Sequence, residues 1–273
     1  MIIDIHAHPV FAGMPIHPGV HQLSETYYSR KALILTLEDF IKELDRAGVD
    51  RVVLLTVCWK GQPMRQRNKA TAEIIKRYPG RFIGFASFDP NDPKQAVEEV
   101  EYAVHKLGFR GVKTIAQNVE IFYNDPRCYP IYEKIQELDV PMLFHTGPSF
   151  LHTRSKFGAP STIDDVALDF PKMKIILAHL GMQGYMEVHS LLVRHANIYA
   201  DLSFWPLHPT YRRLIPWSLF EEAVPDKILL GSDFPVGQTP SEAIEAVRSL
   251  PVSEKFKAQI LGENAARLLG LQG

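Results

Sequence analysis

Short, nearly continuous apolar runs alternate with longer amphipathic stretches along this chain. The runs at 2–6, 51–57, 81–87, 110–115, 141–145, 174–179, 197–202 and 227–232 are rich in Val, Ile, Leu and Phe. Their length and weak alternation predict strands buried on both faces, as in a parallel sheet. Between them the apolar positions fall at helical spacing, which predicts helices at 37–47, 66–78, 93–107, 127–138, 162–169, 183–195, 210–223 and 240–248. Start signals accompany several of these. Asp92 precedes Pro93 and stands three residues before Gln95; Thr36 stands three before Asp39; Thr239-Pro240 is followed by Glu242. Such side chains accept from free N–H groups in the first turn, and proline fits there because its own N–H is absent. The tail 253–270 predicts two further short helices.

Strand followed by helix, eight times over, predicts the α/β class and within it a (β/α)8 TIM barrel, whose typical length of ~250 residues is close to this one. No linker, low-complexity run or repeat divides the chain, so residues 1–273 are expected to form one domain. The rival is an open doubly wound sheet. No Gly-x-Gly-x-x-Gly loop follows the first strand, which weakens a dinucleotide-binding version of it.

Composition narrows the partners. With 46% hydrophobic and 22% charged residues and a net charge of −1, the chain has an ordinary core and no charge excess to attract nucleic acid or an anionic membrane. No apolar run reaches transmembrane length, and Met1 leads straight into a strand-like segment without a signal-peptide pattern. Two cysteines, Cys58 and Cys128, make no disulfide framework; buried, inert thiols and a cytoplasmic location are expected.

The chemistry lies at strand ends. In Ile2-Ile3-Asp4-Ile5-His6-Ala7-His8 two histidines at i and i+2 share one face of a strand. Alone this is a weak pattern, equally read as one exposed and one core histidine. His145 ends Pro141-Met142-Leu143-Phe144-His145, His179 ends Ile175-Ile176-Leu177-Ala178-His179, and Asp233 follows Ile228-Leu229-Leu230-Gly231-Ser232. Barrel active sites lie at the C-terminal ends of the strands, and strands 1 and 8 are neighbours there. Five imidazole or carboxylate groups in one such setting point to a metal site. Asp4 shares strand parity with His6 and His8, so it is expected to point into the barrel, either supporting a histidine or making a structural hydrogen bond.

These segments, together with Gly111-Val112-Lys113, Leu143-Phe144-His145-Thr146-Gly147, Leu177-Ala178-His179-Leu180-Gly181 and Leu230-Gly231-Ser232-Asp233-Phe234-Pro235, resemble the amidohydrolase superfamily. More narrowly they resemble the amidohydrolase-2 group that includes aminocarboxymuconate semialdehyde decarboxylase. Gly262-Glu263-Asn264-Ala265 is similar to that family's C-terminal helix signature. The resemblance spans nearly the whole chain, and it is specific to the superfamily rather than to one reaction. It implies that His6, His8, His145 and Asp233 ligate one divalent ion, zinc by analogy, with Asp233 also counted among the catalytic groups. It implies that His179 is the acid/base histidine, a role suited to a group titrating near neutrality; in binuclear relatives that position ligates a second metal. Lys113 resembles the place of a carboxylated, metal-bridging lysine in some members; an ordinary lysine serving a substrate anion or a salt bridge is the plainer reading.

The loops supply candidates for substrate contact. The long segment 9–35 carries His17, His21, Tyr27, Tyr28 and Arg30 and reads as a lid. Trp59 and Lys60 follow strand 2; Phe150, His152, Arg154 and Lys156 follow strand 5; Phe204, Trp205 and His208 follow strand 7. Of these, with Lys113, the substrate-binding set is taken as Arg30, Trp59, Lys113, Arg154 and Trp205, facing a small anionic molecule. The leading functional reading is a metal-dependent hydrolase of a small amide, lactone or ester-like substrate. The alternative is a non-oxidative decarboxylase of an aromatic or muconate-like acid on the same site. A barrel that binds without chemistry is the third, disfavoured because all five polar positions are present. A homodimer is left open.

Overall fold

The computed structural model describes residues 1–9, 35–148 and 153–271. Eight strands form one parallel sheet in sequence order: β1 Ile3–Ala7, β2 Arg51–Leu55, β3 Phe82–Ser87, β4 Gly111–Thr114, β5 Met142–Phe144, β6 Ile175–Leu177, β7 Ile198–Asp201 and β8 Ile228–Leu229. The sheet closes on itself. Ile5 N–H donates to the Leu230 carbonyl at 3.0 Å, Asp233 N–H to the His6 carbonyl at 2.7 Å and His8 N–H to the Phe234 carbonyl at 2.8 Å. The arrangement is the (β/α)8 barrel.

Alternation within each strand makes two apolar layers. Ile3, Ile5, Val53, Leu55, Ile83 and Phe85 pack inside the barrel, whereas Val52, Leu54 and Val112 join Phe40, Leu44 and Val100 between the sheet and the helices. With both faces covered, neither could be polar, and so the strands read as continuous apolar runs. Helices fall where expected, and the three expected side-chain caps are present: Thr36 on Asp39 N–H, Asp92 on Gln95 N–H, and a full capping box between Thr239 and Glu242.

Two expectations change. The segment 210–223 is not one helix but a short turn at Tyr211–Arg213 and a helix at Trp217–Ala223. Pro216 between them cannot donate a helical hydrogen bond and disfavours helix in the residue before it. Strands β2, β4, β5, β6, β7 and β8 end one to three residues earlier than the apolar runs. At β6 and β8 the cause is visible in the backbone: His179, Leu180, Met182 and Asp233 all have positive φ, between 48° and 61°, which ends the ladder.

The N-terminal end of the barrel is plugged by the chain's own tail. The helices Glu254–Ala258 and Asn264–Leu268 are joined by one wider turn. Ala265, Leu268 and Leu269 complete the interior apolar layer. The buried Asn264 amide donates to the Pro225 and Ile228 carbonyls at 2.9 and 2.8 Å, tying the plug to β8. No helix among the described residues is long and apolar enough to cross a membrane. Cys58 and Cys128 are free and buried.

Candidate metal centre

The centre is built on an irregularity in β1. Asp4 pairs with Val52, a residue of the outer layer, and Ala7 pairs with Leu54, also of the outer layer; one extra residue of β1 lies between the two pairs. Ile3 and Ile5 belong to the interior. Parity therefore breaks between Asp4 and His6. Asp4 does not point into the barrel as expected, but faces the seam with β8. There it accepts from the N–H groups of His6 and Ser232, both at 3.0 Å, and from the Ser232 hydroxyl at 2.5 Å. Burial pushes the Asp4 carboxyl up to about 7, against the pull of these donors. Its role is to hold the Gly231-Ser232-Asp233 turn against β1. Gly231 is required in that turn, since a Cβ would stand 2.9 Å from those of both His6 and Ser203.

The bulge returns His6 and His8 to one side, facing Asp233. Asp233 Oδ1 lies 2.9 Å from His8 Nε2 and 3.4 Å from His6 Nε2. The far nitrogens decide what these atoms can be. His6 Nδ1 lies 2.9 Å from Asp201 Oδ2. The imidazoles of His6 and His179 and the Ser203 hydroxyl overcome burial and hold the Asp201 carboxyl well below the usual carboxylate range. An ionised carboxylate only accepts, so the proton is on His6 Nδ1. His8 Nδ1 is 3.4 Å from the Leu55 carbonyl, a weaker contact. His6 Nε2 then presents a lone pair to the carboxylate oxygen, whereas His8 Nε2, at 2.9 Å, hydrogen-bonds to Asp233 and can give up that proton to a cation.

His145 and His179 continue the pattern. Ser203 donates its hydroxyl proton to Asp201 Oδ1. Its oxygen, at 2.8 Å, and its carbonyl, at 3.2 Å, both face His179 Nδ1 as acceptors. The His179 proton therefore sits on Nδ1. Its Nε2, 3.1 Å from His145 Nδ1, must accept from that atom. The His145 proton is then on Nδ1, and its buried Nε2 is a lone pair with no hydrogen-bond partner. Burial lowers all three inner imidazoles: His6 to about 3, with the charge of Lys113 adding to the effect, His145 well below its ordinary value, and His179 downward.

His6 Nε2, His8 Nε2 and Asp233 Oδ1 thus converge, and His145 Nε2 adds a buried lone pair nearby. Such a set fits a divalent cation, and a divalent-metal-binding site is present. Among the described residues two triads have ligand atoms within 4.8 Å of one another: His6, His8 and Asp233, and His6, His179 and Asp201. The expected four-ligand set is brought together as three plus one, because His145 reaches the triads through its contact with His179.

Lys113 points inward from β4. Its ammonium is buried with no hydrogen-bond partner among the described residues, and burial lowers it to about 8 although Asp201 and Asp233 pull upward. Of the other expected substrate contacts, Trp59 and Arg154 line a cavity on the barrel's C-terminal face. Trp205 does not line that cavity; it stacks between Tyr211, at 4.7 Å, and Tyr185, at 6.4 Å. Arg30 and the rest of 10–34, and Phe150 and His152, lie outside the described residues.

Sequence reading missed Asp201, Ser203, Gln117 and Asn118. Asp201 was discoverable, since it ends the apolar run of β7 as His145 ends that of β5. Gln117 and Asn118, in the short helix Ala116–Val119, carry no such signal.

Comparison with known proteins bears on the family and the fold. The profile of the amidohydrolase family, described as "Amidohydrolase", matches residues 3–271. A gamma-resorcylate decarboxylase of Polaromonas sp. is 26% identical over 280 residues, 86% of this chain and 84% of its own length. Among solved structures, an uncharacterized TIM-barrel protein of Bordetella bronchiseptica superposes with a TM-score of 0.79 at 22% identity, covering 99% of this chain and 98% of its own. A dihydroxybenzoic acid decarboxylase of Polaromonas sp., with bound manganese and the inhibitor 2-nitroresorcinol, superposes with a TM-score of 0.74 at 19% identity, covering 99% and 97%.

Proposed function

The chain belongs to the amidohydrolase family, and from that premise we propose that it is a divalent-metal-dependent, non-oxidative decarboxylase of a small aromatic carboxylic acid. It is an enzyme of the metal-dependent decarboxylase and hydrolase type. The hydrolase reading that the sequence put first has less support than its alternative, since relatives matched over most of their length include decarboxylases. The observation that carries the proposal is Lys113. A buried ammonium with no hydrogen-bond partner among the described residues is costly, and a substrate carboxylate would supply one, beside the attraction of Asp201 and Asp233. A neutral amide or lactone does not.

The ligands are proposed as His6, His8 and Asp233, with His145 through its unpartnered Nε2. A divalent ion there supplies Lewis-acid polarisation of a substrate oxygen. Three imidazoles and a carboxylate suit zinc, as the sequence reading held; the manganese of the related decarboxylase structure makes manganese the other candidate. Lys113 pairs with the carboxylate and orients it. His179, whose Nδ1–H is held by Ser203, takes a solvent proton at Nε2 in place of the one it accepts from His145 and delivers it to the ring carbon. The carbon–carbon bonding pair is taken up by that proton, and the carboxylate leaves as carbon dioxide.

The test loads the purified protein with manganese or zinc and offers small hydroxybenzoates, measuring carbon dioxide, with lactones and amides in parallel. Metal-dependent carbon dioxide release is expected. Hydrolysis without any carbon dioxide release would return the hydrolase reading to first place.

A further inference from the structure

Single apolar side chains scattered over a surface need no explanation, but a cluster of them does. Among the described residues six large hydrophobic side chains are exposed, and all but Met1 lie on one side of the barrel: Leu168, Met186, Val193, Leu214 and Leu219. Leu168 is on the helix Thr162–Asp169, Met186 and Val193 are on the helix Tyr185–Arg194, and Leu214 and Leu219 flank the start of the helix Trp217–Ala223. These elements follow β5, β6 and β7, so they are neighbours in the outer layer.

They are also fastened to one another. Tyr185 donates its hydroxyl to the Leu214 carbonyl at 3.3 Å, and His189 Nε2 lies 3.3 Å from the Leu219 carbonyl, with its ring 5.0 Å from that of Phe220. The two contacts advance together, so 185–194 and 214–223 run side by side in the same direction. Met186 and Val193 are seven residues apart, two turns along one stripe of their helix. On the other side Arg194 donates to Asp164 at 2.8 Å, and Leu168 stands one turn past Asp164. Val188, Leu192 and Phe220 beneath are fully buried. The exposed face is therefore preformed, and covering it costs little ordering.

Charges frame this face in alternation. Arg213 adjoins Leu214 at one end of its strip, and Glu222 stands a turn past Leu219 at the other; both are exposed. Along the neighbouring helix the order reverses, with Glu187 beside Met186 and Arg194 beside Val193. Of the four, only Arg194 has an ion-pair partner among the described residues, Asp164, and its side chain is still 57% exposed. An apolar centre inside a polar rim is the anatomy of a protein interface. The rim has two charges of each sign, so it offers no surplus to an anionic membrane. It does match itself. A two-fold axis across the helices lays each strip against its own copy, end to end, so that Arg213 meets Glu222 of a second copy and Glu187 meets Arg194.

We propose that this face is the docking surface for a second copy of this chain, in a two-fold dimer whose 213–222 strips lie antiparallel across the axis. The dimer does not depend on which reaction the barrel mouth performs.

The experiment is sedimentation velocity on the full chain over a concentration series, for the parent and for L219E, V193E, R213E, E222R and R213E/E222R, with circular dichroism to check the fold. The parent is expected at twice the mass of one chain, dissociating on dilution. L219E and V193E put charge into the apolar centre and should leave monomer. R213E and E222R each set like charges together at two symmetry-related contacts, which should raise the dissociation constant about tenfold or more. R213E/E222R should bring it back near the parent value, as coupled partners do. All the substituted side chains lie on the surface, and should one variant fail to fold, the others still decide. A parent that stays monomeric at its highest soluble concentration overturns the proposal and leaves the face to a different protein. A dimer that L219E and V193E leave intact also overturns it, because the contact then lies elsewhere. A charge swap that fails to restore association overturns the antiparallel pairing.

Discussion

The proton on His6 Nδ1 is held by an acceptor that cannot supply one. Asp201 therefore sets the tautomer of His6 and, through Ser203, that of His179. Asp201→Asn keeps the shape but offers an amide that can donate, so His6 can turn its lone pair away from Asp233. Metal affinity, measured against a competing chelator, should fall about 10–100-fold, the usual worth of a partner behind a ligating histidine; unchanged affinity would remove Asp201 from that role. His179 separates ligation from proton transfer. If it relays the proton, His179→Asn retains the metal while turnover falls by about 10²–10⁴. Loss of metal together with activity would instead make His179 a ligand, as its place in the second triad permits. Both variants are read by metal content and turnover on one sample.

At the scale of elements, β4 shows how the barrel makes room for the site. A Cβ on Gly111 would stand 2.4 Å from the ring of Phe85, which packs across the barrel interior. That ring lies in the layer beneath Lys113, two residues further along the same face. Gly111→Ala must displace it within a closed interior, at a cost of about 1–3 kcal/mol, read as a lower denaturant midpoint; a midpoint equal to that of the parent would show that the interior is loose enough to absorb a methyl group. Such elements were the legible part of the molecule. Apolar runs marked all eight strands because burial on both faces leaves no polar alternation, and caps such as Thr239 with Glu242 marked helix starts. Residues closing a strand were legible too, which located His145, His179 and Asp233. Asp4 was misread because parity assumes a regular strand, and nothing in Asp4-Ile5-His6-Ala7 announces an extra residue against β2. Gln117 and Asn118, which line the cavity with Trp59 and Arg154, were invisible for a different reason: what sets them apart is that their buried oxygens lack hydrogen-bond partners among the described residues, a property of packing rather than of pattern.

For the whole molecule, the buried imidazoles couple folding to acidity. In the unfolded chain a histidine takes up its proton near pH 6.5. In the folded chain burial delays this, to about 3 for His6, and to below the ordinary value for His145 and His179. Between pH 7 and 5 the unfolded state thus binds more protons at these sites, so stability is present above 6.5 and is lost as the pH falls. His6, once well below pH 6.5, shifts the folding equilibrium about tenfold per pH unit down to its own titration, and His145 and His179 act in the same direction. Asp4 acts in the opposite sense. Raised to about 7, it holds a proton in the folded state that the unfolded state lacks, which offsets part of the histidine effect between pH 7 and 4. Asp201 and Asp233, held low by their imidazole neighbours despite burial, add to the loss only below the ordinary carboxylate range. Lys113, lowered to about 8, matters only above that value. The balance from these groups is a net loss. Metal-free protein should unfold at a lower denaturant concentration at pH 5 than at pH 7. The metal-loaded protein should lose more over the same interval, because protons and the ion compete for the same nitrogens. A metal-free midpoint that holds steady or rises on acidification would mean that His6, His145 and His179 titrate as they do in water, and that the centre is a hydrated opening rather than a buried set of lone pairs awaiting a cation.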